Sequence, residues 1–231
     1  MRTYLVAASL IIMSLISCSR SGSTLDEYNL PLYSPEYASG FYITGAEGRE
    51  STVVTVTNPW QGADSVSTCL FISRNGESTP EGFDGCIIDG EAKRIVTMSS
   101  SHIAMLDALD ATDRIVGVSG LKFISSDNIL SRRDSITDVG YDGNINYELM
   151  LSLSPDLVLI YGISGESPMT SKLKELGIPY MYVADYLEES PLGKAEWLVA
   201  LAEIIGDRER GKSVFSVIPN NYNAIKQRVA E

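Results

Sequence analysis

The chain has 231 residues, 44% of them hydrophobic, and carries 18 Lys plus Arg against 30 Asp plus Glu, a formal net charge of −12. An acidic surface of this size repels polynucleotides and anionic lipid at long range, so nucleic acid is not expected as a partner. A single histidine, with no second histidine or vicinal thiol to complete a shell, argues against a bare zinc or manganese binder.

Met1 and Arg2 precede an apolar stretch from Tyr4 to Ile16 that closes on Leu15, Ile16, Ser17 and Cys18. About a dozen apolar residues are too few to cross a hydrocarbon core of about 30 Å as a helix, so residues 1–17 read as a cleaved signal peptide. A branched aliphatic, then a small residue, then Cys is what a lipoprotein peptidase reads. Cys18 is therefore the expected lipidation site, and the membrane is expected to be touched through that anchor only. One acyl chain anchors weakly; two or three anchor stably. The alternative is an ordinary signal peptide with an incidental cysteine.

Residues 18–40 are polar, bear Gly, Ser and Pro, lack a clear period and read as a tether. From 41 to 90 the pattern changes to short alternating segments, FYITG, TVVTVTN and 66–73, separated by Gly-rich or Asn-Pro turns. This predicts an antiparallel β extension placed at an edge of the main sheet. Cys69 and Cys86 fall within it and either pair as a disulfide, as an oxidising compartment permits, or stay as two buried thiols.

From Arg94 onward strand and helix patterns alternate, the sign of a parallel sheet with helices on its faces. The fold class expected is α/β, a Rossmann-like lobe over residues 91–206. Strands are predicted at 94–98, 114–118, 157–161 and 179–183. Helices open after Ser101, Asn146 and Ser167-Pro168, and Gly177 ends the last of these. A further helix covers 192–205 and stops at Gly206; Asp207 then caps a long helix over 207–231 that Pro219 kinks or restarts.

In open α/β sheets, ligands sit beyond the carboxyl ends of the strands. That edge should gather Ser99, Ser100, Ser101 and His102 after the first strand, Ser119, Gly120 and Leu121 after the second, and Tyr141, Tyr161 and Gly162 beyond. The first four open a helix, where free N–H groups favour an anion or a polar group; equally, Ser101 is simply a cap. His102 is either a helix-start residue or, with Tyr161, an axial ligand to haem iron. Enzyme templates are absent: there is no G-x-S-x-G, P-loop, G-x-G-x-x-G or H-E-x-x-H, and GVSG at 117 and GISG at 162 lack the spacing of a nucleophile elbow.

Four segments in this order carry a resemblance: RIVTMS at 94–99, ALDATDRIVGV at 108–118, NYE at 146–148 leading to SPDLVL at 154–159, and LKELGIP at 173–179. Over about residues 92–215 the chain resembles the substrate-binding proteins of ABC importers for ferric siderophores, haem or vitamin B12. The resemblance implies two α/β lobes bridged by a long helix and a small-molecule metal chelate held between them. It also implies no bond chemistry and no cofactor of the protein's own, and a permease with its ATPase as partners. Glu148 falls where family members dock an acidic residue on permease arginines; locally it is a favourable carboxylate in a helix first turn. Tyr161 falls where vitamin B12 binders place a cleft tryptophan, and Tyr141 lies near a second one. Leu121 departs from the tyrosine of those binders. The sequence stops at Glu231 in or just after the bridging helix, so it reads as a fragment of a longer frame or as a lobe acting singly or as a dimer. In the former case Val214, Phe215, Val217 and Ile218 should form an uncovered face. The rival class is an interaction or assembly lipoprotein built on the same lobe.

Overall fold

A computed structural model describes residues 23–165 and 167–230. Residues 1–22, and with them Cys18 and the expected signal peptide, lie outside the described residues.

Two five-stranded sheets form the body. The first contains β1 (Leu30–Tyr33), β2 (Phe41–Gly45), β3 (Thr52–Thr57), β4 (Ser67–Ser73) and β5 (Cys86–Asp89), in that spatial order. Its pairs are antiparallel except β4 with β5, which run parallel. The β-branched run TVVTVT gives β3, the middle strand of this sheet, whose residues are buried from Thr52 to Val56.

The second sheet is entirely parallel and is built from β6 (Ile95–Thr97), β7 (Ile115–Val118), β8 (Thr137–Asp138), β9 (Leu157–Ile160) and β10 (Tyr180–Tyr182), in the spatial order β10-β9-β6-β7-β8. Every residue of β6 and β9 is buried, as continuous apolar strands of a covered parallel sheet must be. The helices are α1 (Ser100–Ala108), α2 (Asp127–Leu130), α3 (Tyr147–Ser152), α4 (Pro168–Glu175), α5 (Pro191–Glu196), α6 (Leu198–Ile204), α7 (Arg208–Ser216) and α8 (Ile218–Ala230). The chain runs from β6 outward through β7 to β8, then crosses back to β9 and continues to β10. Right-handed crossovers therefore put α1 and α4 on opposite faces, and the winding direction reverses between β6 and β9. The α/β class and the four predicted parallel strands are as expected.

Several expectations need correction. The β region is a separate five-stranded sheet, not an edge extension; its β4 packs against β10. The expected tether contributes β1, and residues 33–40 are fixed by two buried carboxylates from the other end of the chain. Glu196 accepts hydrogen bonds from the Tyr33 hydroxyl (2.8 Å) and from the backbone N–H of Glu36, Tyr37 and Ala38 (2.8, 2.7 and 2.7 Å). Glu188 accepts from the N–H of Ser39 and Gly40 and from the Trp197 indole. Trp197 is fully buried and divides the predicted 192–205 helix into α5 and α6. The terminal helix does restart at Pro219 as expected, giving α7 and then α8 from Ile218. Phe215 is not exposed: it is 6% accessible and packs edge-on against the Tyr37 ring, 6.0 Å away. Val214 and Ile218 are half-buried, while Val217 is exposed.

Cys69 and Cys86 are free thiols. Leu70 is the register partner of Cys86, so the alternation of a strand points Cys69 to the opposite face. Accordingly Cys69 lies beside the Thr55 hydroxyl and the Phe71 cluster, whereas Cys86 accepts from the Tyr180 N–H and packs on the main core. Burial raises both thiols above the ordinary cysteine pKa.

Candidate functional site

The carboxyl ends of β6, β7 and β9 deliver Met98, Ser119 and Tyr161 to one edge, where β10 ends in Tyr182. These side chains line a cavity of about 650 Å³. The position is the switch point between β6 and β9, where the crossovers on either side leave a crevice. Ile145 and Tyr147 close the cavity from the start of α3, Gly162, Ile163 and Ser164 from the β9–α4 connection, and Met169 from the first turn of α4. Lys172 of α4 also reaches the lining and pairs with Glu175 at 2.8 Å. Burial raises the Tyr147 hydroxyl above its usual pKa, with the Lys172 ammonium opposing the shift. The wall is therefore a set of aromatic rings and thioethers with a few hydroxyls, suited to a large, flat, partly apolar guest.

Of the residues expected at the cleft, Ser119, Tyr161 and Gly162 line the cavity and the others do not. The cap of α1 is Ser99, not Ser101: Ser99 accepts from the Ser101 N–H, and its hydroxyl lies 2.9 Å from that of Ser101. Ser100 is exposed away from the cavity. The Ser101 hydroxyl lies beside the buried Asp185 carboxylate, so an internal carboxylate faces this helix start. Burial raises the Asp185 pKa against the favourable contacts with Ser101 and Lys194.

His102 is fully buried. Neither ring nitrogen has a partner of good geometry, although backbone groups of Leu159 and Val183 lie alongside. Burial pushes its pKa down to about 4. Because it is sealed from solvent it does not present itself as an axial ligand, and Tyr161 alone of that pair reaches the cavity.

Gly120, Leu121 and Tyr141 form a neighbouring lip. The Asp138 carboxylate gathers the N–H groups of Gly120, Leu121 and Gly140 at 2.9–3.0 Å, with Gly120 and Gly140 both at positive φ. On this lip Phe123 is 65% exposed and meets the Tyr141 ring edge-on at 5.5 Å, while Lys122 Nζ sits 4.8 and 5.0 Å from the two ring centres. Glu148 is exposed in the first turn of α3, one residue after cavity-lining Tyr147. Among the described residues no cluster of three or more His, Cys, Asp or Glu could hold a metal ion, and no helix is long and apolar enough to cross a membrane.

Sequence reading missed Tyr147, Met169 and Tyr182. The first two follow directly on the helix caps Asn146 and Ser167-Pro168, and a residue just past such a cap at the carboxyl edge is positioned to face a ligand. Tyr182 carried no comparable signal, since it lies within an apolar strand.

The chain is 29% identical over 144 residues to an uncharacterized lipoprotein of Methanocaldococcus jannaschii, covering 58% of this chain and 34% of that one. It is 33% identical over 100 residues to an uncharacterized ABC transporter substrate-binding lipoprotein of Bacillus subtilis, covering 42% and 30%. The chain thus spans about a third of the length of these relatives. The crystal structure of a periplasmic binding protein from Veillonella parvula superposes with a TM-score of 0.52 at 15% identity, over 76% of this chain and 54% of that one, and so shares its fold. The sequence description of the periplasmic binding protein family matches residues 95–231, more than half of the chain, and the chain belongs to that family.

Proposed function

We propose that this chain is the ligand-capturing lobe of an extracytoplasmic substrate-binding lipoprotein, which takes an iron chelate, haem or cobalamin and hands it to an ABC permease driven by its ATPase. The observation that carries the reading is the aromatic and thioether-lined cavity of about 650 Å³ at the sheet's switch point. Its volume and flat walls suit a macrocycle or an aromatic chelator, and its lining offers binding groups in place of a nucleophile with a base. The protein itself makes and breaks no bond in this reading. Relatives named as lipoproteins support an anchor at Cys18 and a location in the cell envelope. The rival reading, an interaction or assembly lipoprotein, draws on exposed Phe123 and its Lys122–Tyr141 neighbours. An aromatic cavity next to that lip favours transport.

Titration with haemin, a ferric tris-catecholate, a ferric tris-hydroxamate and cyanocobalamin tests the proposal. At least one should bind, and Tyr161→Ala should weaken it about threefold to tenfold through the lost ring stacking. Binding of none of the four would overturn the transport reading in favour of the interaction module.

Glu148 is assigned to permease docking. Glu148→Lys should reduce stimulation of the reconstituted importer, most strongly at low salt, and leave ligand affinity within twofold. A loss of ligand affinity would instead place Glu148 in the cleft.

A further inference from the structure

The cavity loop at residues 161–165 is held by the amino-terminal sheet, which lies outside the family match. Trp60, in the β3–β4 connection, pairs with Gly162 as an isolated parallel bridge, and its ring meets Tyr182 at 5.7 Å and 60°. The approach is close: a Cβ at position 162 would lie 2.8 Å from the Pro59 carbonyl oxygen, 2.9 Å from the Tyr182 ring and 3.0 Å from Trp60 Cβ. On the other side the Tyr186 hydroxyl donates to the Gly162 carbonyl and lies beside the Gln61 backbone N–H. The main chain at Tyr186 is fixed in turn by Lys194 Nζ, 2.8 Å from its carbonyl. Beyond Gly162 the loop has little packing of its own, with Ile163 67% exposed and Ser164 exposed.

We propose that Trp60 and Tyr186 are positioning residues of the cleft, forming a strap that sets the place of Tyr161 and Ile163 and makes the amino-terminal sheet part of the binding machinery. Neither residue lines the cavity; both act through Gly162. The physical reason is preorganisation. A loop already fixed in its binding position loses less freedom when the guest arrives, and removing the strap transfers that ordering to the binding step. The proposal rests on the reading of the cavity as a ligand cleft, but its first test needs no ligand.

Backbone hydrogen exchange of the peptide spanning 161–167 should quicken about tenfold in Tyr186→Phe and in Trp60→Ala, with exchange across β6, β7 and β9 unchanged. Trp60→Phe, which keeps a ring against Tyr182, should restore most of the protection. In the tightest-binding of the four probes above, Trp60→Ala should weaken binding about tenfold and Trp60→Phe less than threefold. Unchanged exchange in that peptide, or an increase spread evenly over the parallel sheet, overturns the strap. If Trp60→Ala does not fold, Tyr186→Phe decides alone, because it removes one hydroxyl and no packing. If the wild type binds none of the probes, the transport reading fails while exchange still decides the strap; bound probe with unaltered affinity in both variants would sink the strap alone.

Discussion

Glu196→Ala is expected to lower unfolding free energy by about 3 kcal/mol, a large fraction of the stability of a domain this size. Glu196 is 1% exposed and accepts four hydrogen bonds, one from the Tyr33 hydroxyl and three from consecutive backbone N–H groups at 36–38. Truncation leaves those donors without an acceptor in a partly buried place, at about 1–3 kcal/mol each before water enters to relieve some of them. Tyr33 records the same contact from its own side: burial, and then the Glu196 carboxylate, raise its phenol above the ordinary range. Glu196→Gln keeps one carbonyl acceptor and should lose about half as much. Urea denaturation with limited proteolysis checks this. Cleavage within residues 34–40 should rise in Glu196→Ala, and a loss below 1 kcal/mol with no new cleavage would mean that the segment is held by β1 and Glu188 without Glu196.

That segment also marks where local sequence patterns stop being informative. The strands at 95–97, 115–118, 157–160 and 180–182 were legible because a covered parallel strand is a short apolar run between turn signals, as in the LVLI of β9. Asn146 and Ser167 were legible as caps because a cap is read within four residues. Residues 33–40 were not, because their donors go to carboxylates about 150 positions later, and nothing near Tyr37 announces Glu196. The same blindness left Phe215 looking exposed. Its cover, Tyr37, belongs to the stretch taken for a tether. At the cavity, strand ends pointed to Ser119, Tyr161 and Gly162, which the structure places in its lining, but Trp60 reaches Gly162 from the other sheet, a pairing of about 100 residues in sequence that only topology can bring together.

His102 shows how a small boundary error changes chemistry. Each helical residue turns the side chain by about 100°, so moving the cap from Ser101 back to Ser99 makes His102 a third-position residue and directs it inward. The ring is then sealed in the core with its pKa depressed to about 4, against 6.5 for the free side chain. The sign of the consequence follows from proton uptake. As pH falls through 6.5 the unfolded chain protonates at this histidine while the folded chain resists until about 4, so the unfolded state binds more protons and stability rises with pH across that window. Between pH 7 and pH 4.5 the wild type should lose about 2–3 kcal/mol from this group alone. Burial also raises the Asp185 carboxyl, so the comparison must be with a variant that retains it. In His102→Leu this contribution disappears. The two proteins should have similar stability at pH 7, since Leu fills comparable space and removes two poorly partnered nitrogens, and His102→Leu should be the more stable at pH 4.5 by about 2–3 kcal/mol. Urea midpoints for both proteins at the two pH values measure this difference. Parallel losses in wild type and variant would show that the imidazole stays hydrated or finds a proton acceptor in the folded state, and would return His102 to the set of residues able to meet a ligand.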